Sequence, residues 1–155
     1  MRRSFLAFLL LVSLLLGGCA APKTENFEEK KPLLTEIKDL ALAYAAEHPE
    51  QVGSNGRLTL NLIADRGITY WDGKQHLDVD ASEAAVERVN ALCEMGLTAL
   101  WVENGGVIFW DDELHGYGIL WSETPRRAIR EMRAEWYDRM DSRRLAPQWY
   151  EIGQL

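Results

Sequence analysis

The sequence lacks the short motifs that carry most recognisable enzyme chemistry. It contains no Gly-x-Ser-x-Gly, and its three histidines have no recognisable cysteine or serine partner, so nucleophilic catalysis is not indicated. No glycine-rich loop leads from a strand into a helix, which removes the usual signal for nucleotide binding. Internal repeats and low-complexity segments are absent too. We therefore predict a single domain that is not an enzyme and that carries no cofactor.

Metal-ligating residues are also sparse. One loop between two predicted strands holds the densest set, Asp111, Asp112, Glu113 and His115. Carboxylate oxygens suit Ca²⁺ or Mg²⁺. Acidic residues are nevertheless ordinary in exposed turns, so these four are weak candidates and we predict no metal site.

Long apolar runs are limited to the beginning of the chain. Residues 5–16 are apolar apart from Ser13 and follow Arg2 and Arg3. The run is shorter than the roughly 20 residues that a spanning helix needs, and it suits the apolar region of a signal peptide. It ends in Leu-Gly-Gly-Cys at residues 16–19, which resembles the lipobox of bacterial lipoproteins. The alternative is an ordinary signal peptide with an incidental cysteine.

The resemblance implies that residues 1–18 are a signal peptide and that Cys19 carries a lipid anchor. Several acyl chains give durable membrane attachment. Residues 19–31 are then the lipidated cysteine and a flexible polar tether, and residues 32–155 the globular domain. Ala20 follows the cysteine, which resembles the pattern of lipoproteins sent to the outer membrane, facing the periplasm, in a Gram-negative cell. We therefore expect the protein in the cell envelope.

Positive charge is scarce in the remainder. Without Arg2 and Arg3, 15 basic residues face 24 acidic ones, a net charge of −9. Such a domain is a poor binder of nucleic acid and does not lie flat on anionic lipid. With Cys19 lipidated, Cys93 has no partner for a disulfide. Its position on an apolar helix stripe favours a small core residue over a reactive thiol.

The stretch from Leu97 to Trp121 predicts three antiparallel strands. Asn104-Gly105 is typical of a two-residue type I′ turn, which sets Val102 opposite Val107. Alternation then makes both faces of the sheet apolar. One face of the hairpin carries Leu100, Val102, Val107 and Phe109, and the other carries Trp101, Ile108 and Trp110. The third strand places Tyr117, Ile119 and Trp121 on one of its sides and Leu120 on the other.

The flanking segments predict helices and further strands. Helical spacing of apolar residues predicts a first helix from Pro32 to near residue 48. A second helix is predicted over about residues 81–95, where Asp80 and Glu83 resemble a capping box. A third is predicted after Thr124. Residues 58–62 read as a strand, with a short helix as a competitor. Asp72-Gly73 predicts a second two-residue hairpin turn, and residues 149–152 an edge strand after an irregular link. The fold class is therefore α+β, a mainly antiparallel meander sheet with about three packed helices.

The aromatic residues are the remaining functional signal. A possible binding face consists of Trp101, Trp110, Tyr117 and Trp121, because exposed aromatic residues contribute strongly to protein interfaces and sugar-binding surfaces. The competing interpretation, which we favour, buries the tryptophans beneath helices, with Trp110 covered and Trp101 and Trp121 partly exposed. The first functional hypothesis is a non-catalytic envelope protein that binds another protein, as an inhibitor, an immunity-type factor or an assembly accessory. The alternative is a small-ligand or glycan-binding module.

Overall fold

The computed structural model describes residues 24–103, 105–111, 116–123 and 141–153. They form two α-helices, one short 3-10 helix and eight strands. The predicted signal peptide and Cys19 lie outside these residues. The elements are α1 (Phe27–Glu47), the 3-10 helix (Pro49–Gln51), β1 (Arg57–Ile63), β2 (Gly67–Trp71), β3 (His76–Asp80), α2 (Glu83–Glu94), β4 (Leu97–Glu103), β5 (Gly106–Asp111), β6 (Tyr117–Ser122), β7 (Asp141–Ala146) and β8 (Trp149–Gly153).

All eight strands belong to one sheet in the order β3-β2-β1-β4-β5-β6-β8-β7. Every neighbouring pair is antiparallel. The predicted mixed fold with a mainly antiparallel sheet is therefore confirmed. The described residues contain two α-helices where about three were predicted, and the third predicted helix falls in residues 124–140, outside the described part.

The central hairpin has the predicted register. Val102 pairs with Val107 and Trp101 with Ile108, while the ladder shifts by a bulge between Leu97 and Ala99. Gly105 has φ 72°, the left-handed conformation that the turn requires. Strong β-formers on both sides of a tight turn therefore determine this part of the sheet locally.

The first helix begins earlier than the sequence predicted. It starts at Phe27 rather than Pro32, and Phe27 packs against Trp149 with ring centroids 5.7 Å apart. Thr24 is buried as well. Residues 24–31 consequently belong to the folded domain and not to a tether, because their apolar and hydrogen-bonding contacts to β8 outweigh a polar local composition.

The second helix has a different N-cap from the one predicted. Its cap is Ser82, whose Oγ accepts a hydrogen bond from the backbone of Ala85 at 3.2 Å. The Asp80 carboxylate instead accepts from the backbone of Ser82, which tightens the turn before the helix. At the other end Gly96 has φ 76°, as its predicted position after the helix requires.

The β2–β3 connection is longer than the predicted two-residue turn. Trp71 pairs with His76, so residues 72–75 form the loop. Asp72 Oδ1 accepts hydrogen bonds from the backbone N–H groups of Lys74 (2.7 Å) and Gln75 (2.8 Å). These two bonds, Gln75 first, lower the pKa of the Asp72 carboxyl. Over residues 69–71 the register moves by two residues, an even number, so these side chains keep their predicted faces. A bulge between Ile68 and Thr69 shifts the pairing further, and Lys74, predicted to pair with Trp71, lies in the loop.

The link predicted as irregular is partly a strand. Residues 141–146 form β7, which pairs with β8 and occupies the edge of the sheet that had been assigned to residues 149–152. The sequence of this strand, Asp-Ser-Arg-Arg-Leu-Ala, is mostly polar and charged and therefore gave no strand signal. Such charged side chains are typical of edge strands.

The two faces of the sheet differ in what packs on them. Both described α-helices cover the same face, which we call the helix face, through Leu34, Ile37, Val89 and Leu92. The other face, here the second face, carries a separate apolar cluster over β4, β5, β6 and β8. Over β1, β2 and β3 the second face carries mainly polar side chains together with the exposed indole of Trp71, and there it is open.

Candidate functional site

The four aromatic residues proposed as one binding face do not share a face. Trp101 and Trp110 belong to the cluster on the second face, whereas Tyr117 and Trp121 pack against the core on the helix face. The sheet register explains the division, because Trp121 pairs with Val107 and Val107 is a helix-face residue. The structure therefore does not assemble this four-residue platform.

The two second-face tryptophans are core residues. Trp110 is fully buried and Trp101 is 6% exposed, so the expected burial of Trp110 is confirmed and the partial exposure expected for Trp101 is wrong. Their rings meet edge to face with centroids 5.0 Å apart. The guanidinium of Arg57 lies 3.8 Å from the Trp101 ring centroid, and its Nε donates to the buried Glu103 carboxylate at 2.6 Å. Trp121 is half-buried, as expected, with the Lys38 ammonium 4.3 Å from its ring centroid.

An open pocket lies on the second face at the β1–β3 end of the sheet. Its volume is 570 Å³, within the range of about 300–1,000 Å³ for small-molecule sites. Strand β1 alternates buried leucines with Arg57, Thr59 and Asn61, and these three side chains form the floor. The described residues that line the pocket are Gln51, Gly53, Asn55, Arg57, Thr59, Asn61, Tyr70, Trp71 and His76.

One wall of the pocket comes from the loop after α1. Gln51 Oε1 accepts a hydrogen bond from the Tyr44 hydroxyl at 2.9 Å, which ties the 3-10 helix to α1. Asn55 Oδ1 accepts from the Arg57 backbone, and the Gly53 N–H donates to the Arg57 carbonyl at 2.9 Å. These bonds hold the loop in a compact turn against the start of β1.

The opposite wall comes from the β2–β3 hairpin. Trp71 is 48% exposed, the most exposed large hydrophobic side chain in the described part of the chain. Its ring lies against His76, with centroids 4.9 Å apart. The His76 Nδ1 is hydrogen-bonded to the buried Thr69 hydroxyl at 3.0 Å. The Trp71 indole therefore packs against an imidazole that a hydrogen bond holds in place, and about half of the Trp71 side chain remains accessible to solvent.

Among the described residues, the pocket lining contains no carboxylate and no lysine. This absence is notable because 24 of the 155 residues are acidic. Arg57, the one permanent cation among these described lining residues, is already paired with Glu103 and stacked on Trp101. The lining is therefore close to neutral and suits an uncharged ligand better than an anion or a cation.

A second polar cluster joins the two ends of the described chain on the helix face. Glu151 is 2% exposed, accepts from the Thr24 hydroxyl at 2.9 Å, and pairs with Arg143, whose Nη2 lies 2.5 Å from the carboxylate. Arg143 also donates to Thr24 Oγ1 at 3.0 Å. Burial, with the Glu151 carboxylate close by, raises the pKa of Tyr117. The hydrogen bonds of Thr24 to Glu151 and Arg143 fix it to β8 and β7. The charges of Arg143 and Glu151 are matched to each other, so we assign this cluster a structural role.

Of the remaining sequence candidates, only Asp111 and Cys93 lie in the described part of the chain. Asp111 Oδ1 accepts a hydrogen bond from the Tyr117 backbone at 3.2 Å, and residues 112–115 lie outside the described part. Among the described residues, no group of three or more His, Cys, Asp or Glu could hold a metal ion. Cys93 is half-buried, and its burial raises the pKa of the thiol, which favours the unreactive protonated form.

Sequence reasoning did not identify the pocket, although part of its signal was present. The alternation in residues 57–63 indicates one buried and one open face, and the β2–β3 hairpin was predicted to have one wet face. What could not be read from the pattern was that the loop at residues 51–55 lies beside these strands. That contact depends on where α1 packs.

Comparisons with known proteins add no assignment. No protein-family model matches the chain, and neither does any curated protein or any solved structure with which it was compared. Across the described residues, no helix is long and apolar enough to cross a membrane.

Proposed function

We propose that the protein is a lipid-anchored, non-catalytic binding module of the bacterial envelope, and that its ligand site is the open pocket on β1–β3. The pocket carries the proposal, because it combines an accessible indole with neutral polar side chains on a rigid sheet. Small-molecule sites have this make-up, a concave surface with an aromatic wall and a few polar groups. The lipobox-like residues 16–19 support the anchor.

The position of Thr24 supports a particular orientation of the domain. Only residues 20–23 separate Cys19 from Thr24, and five extended residue steps span at most about 18 Å. Since Thr24 is bound to β8, a lipid on Cys19 would keep the β8–β7 end of the sheet close to the membrane. Strand β2 is five strands away from β8, about 24 Å at the usual strand spacing. The pocket would then lie at the end of the sheet away from the bilayer.

The anchor is tested by metabolic labelling with a fatty-acid analogue. Wild-type protein should incorporate the label and fractionate with membranes. Cys19→Ala should do neither while keeping the urea unfolding midpoint, and Cys93→Ala, the matched control, should still be labelled. Labelling of Cys19→Ala would refute the anchor.

The binding site is tested by a fragment screen on the purified full chain, followed by NMR. The indole N–H resonance of Trp71, assigned from the Trp71→Phe variant, should shift with the fragments that bind. Leu77→Ala removes the other exposed large hydrophobic residue, which lies on the opposite face of the hairpin, and should leave these shifts unchanged. A screen in which no fragment perturbs the Trp71 resonance would contradict the pocket as the ligand site.

A protein partner is the second candidate, and one observation favours it. Trp71 and Leu77, the two large hydrophobic residues that the described part exposes, lie on opposite faces of the β2–β3 hairpin, at the β3 edge of the sheet. An edge strand can pair with an added strand from another protein. A partner bound in this way should protect the β3 amides from hydrogen exchange, and Leu77→Asp should abolish that protection.

A further inference from the structure

The ligand class of the pocket can be narrowed by the hydrogen-bonding groups that the protein leaves unused. Within the described residues, the side chains of Thr59 and Asn61 make no hydrogen bond to the protein, although both line the pocket floor. A threonine hydroxyl donates one bond and accepts others, and an asparagine amide offers two donors and a carbonyl acceptor. The floor therefore presents alternating donors and acceptors without a net charge.

Charge excludes the common anionic ligands. A phosphate or carboxylate ligand is favoured by an uncompensated cation. Arg57, the one permanent cation among the described lining residues, is instead bound to the buried carboxylate of Glu103 at 2.6 Å. Withdrawing Arg57 would leave Glu103 buried without its partner, which is strongly unfavourable. The whole chain is also acidic, with a net charge of −7, and so repels anions at long range.

The exposed indole supplies the apolar part of the site. The face of an indole ring is negatively polarised, and its area is among the largest of any side chain. A pyranose ring has a face of weakly positive C–H groups, surrounded by hydroxyls that both donate and accept hydrogen bonds. The combination of a half-exposed Trp71 with Thr59 and Asn61 matches these two properties of one ligand.

We propose that the pocket binds a neutral saccharide, with one sugar ring stacked on Trp71 and its hydroxyl or acetamido groups hydrogen-bonded to Thr59 and Asn61. This inference rests on the proposed function, whose site it shares. Gln51 and Asn55, on the loop wall, supply further amide contacts to a neighbouring sugar unit. Because the pocket is open to solvent, an internal stretch of a longer saccharide can bind there, and the protein need not bind the end of the saccharide chain.

The test is isothermal titration calorimetry on the full chain in a detergent without a sugar head group. The probes are neutral tetrasaccharides of glucose or of N-acetylglucosamine. Trp71→Ala should weaken the binding of the recognised probe about tenfold or more, since tenfold corresponds to about 1.4 kcal/mol, close to the value of an aromatic contact. Trp71→Phe, which keeps a ring, should lose less. Leu77→Ala, the matched surface control, should bind like wild type.

Two further measurements separate a saccharide from a charged ligand. Thr59→Val and Asn61→Ala should each reduce affinity, because each removes a hydrogen-bonding group from the floor. Affinity should change little between about 0.01 and 1 M salt, although the Debye length falls from about 30 to about 3 Å over this range. A steep salt dependence would overturn the assignment to a neutral ligand.

The possible failures are distinguishable. If no tetrasaccharide binds but a fragment of another class still shifts the Trp71 indole, the saccharide inference is refuted and the pocket remains a binding site. If neither saccharides nor fragments act at Trp71, both the inference and the proposed function are refuted. Saccharide binding that survives Trp71→Ala unchanged would place the sugar elsewhere and refute the inference.

Discussion

The second face of the sheet consists of two unlike halves. Over β4–β6 and β8 it is apolar and closed, with Trp110 and Ile108 fully buried. Over β1–β3 it is polar and open, with Thr59 and Trp71 exposed to solvent. The local sequences account for the difference. Strand β4 is buried at nearly every position, whereas β1 alternates strictly. One continuous sheet can therefore be core at its centre and a ligand surface at its end.

Arg57 lies at the boundary between these halves. Its side chain lines the pocket, stacks on Trp101 and pairs with Glu103. The same residue thus neutralises a buried carboxylate next to the pocket and closes the edge of the apolar cluster. We infer that Arg57 both stabilises the fold and keeps the pocket electrostatically neutral.

The largest effect should separate the two halves directly. Trp110→Ala should lower the free energy of unfolding by about 3–5 kcal/mol, since it removes a fully buried indole. Trp71→Ala, the matched change in the open half, should lie within about 0.5 kcal/mol of wild type. Urea unfolding monitored by circular dichroism measures both. Equal losses in the two variants would abolish the distinction between the halves.

The boundary itself should be nearly as sensitive. Arg57→Met leaves Glu103 buried without its partner, and we expect a loss of about 3 kcal/mol, the lower end for a broken buried pair because Arg57 is partly exposed. Adding Glu103→Leu to Arg57→Met should recover much of the loss. A double variant as unstable as the single one would mean that packing on Trp101, and not the unpaired carboxylate, accounts for the effect.

A smaller effect is expected at the turn that connects β4 and β5. Gly105→Val forces a β-branched residue to a φ near 72° and should cost about 1–3 kcal/mol. The nearest atom to an added Cβ is 3.6 Å away, so the cost is conformational and not steric. Gly105→Asn is the control, because asparagine tolerates the left-handed region, and it should lose less. An unchanged urea midpoint for Gly105→Val would contradict the turn geometry.

The smallest effect is pH-dependent and concerns the helix face. Burial raises the pKa of Tyr117 above its usual value of 10, so the folded state holds this proton more tightly than the unfolded chain. The contribution to stability is therefore complete below pH 10 and is lost as the pH rises towards the folded pKa. The slope from one group is at most about 1.4 kcal/mol per pH unit. Unfolding midpoints measured on both sides of pH 10 should fall less steeply in Tyr117→Phe, and parallel curves would contradict the assignment.

Short-range signals predicted the centre of the molecule well. The Asn104-Gly105 turn signal and the β-forming residues around it give the β4–β5 register, and alternation assigns the faces of residues 100–102 and 107–109 correctly. The two-residue displacement of the β2–β3 turn left the faces of residues 69–71 intact for the same reason, since side-chain direction repeats every second residue. Local chemistry is sufficient where a strand pairs with its neighbour in the chain.

Contacts distant in sequence decided the rest. The helix beginning at Phe27 depends on β8, more than a hundred residues later, and the division of the aromatic residues between two faces depends on how β6 pairs with β5 and β8. The sequence by itself determined the fold class, the central hairpin and the buried position of Trp110, because these follow from periodicity and turn chemistry. Only the tertiary structure brought the loop at residues 51–55 to β1 and Trp71, because the packing of α1, and no local pattern, positions that loop.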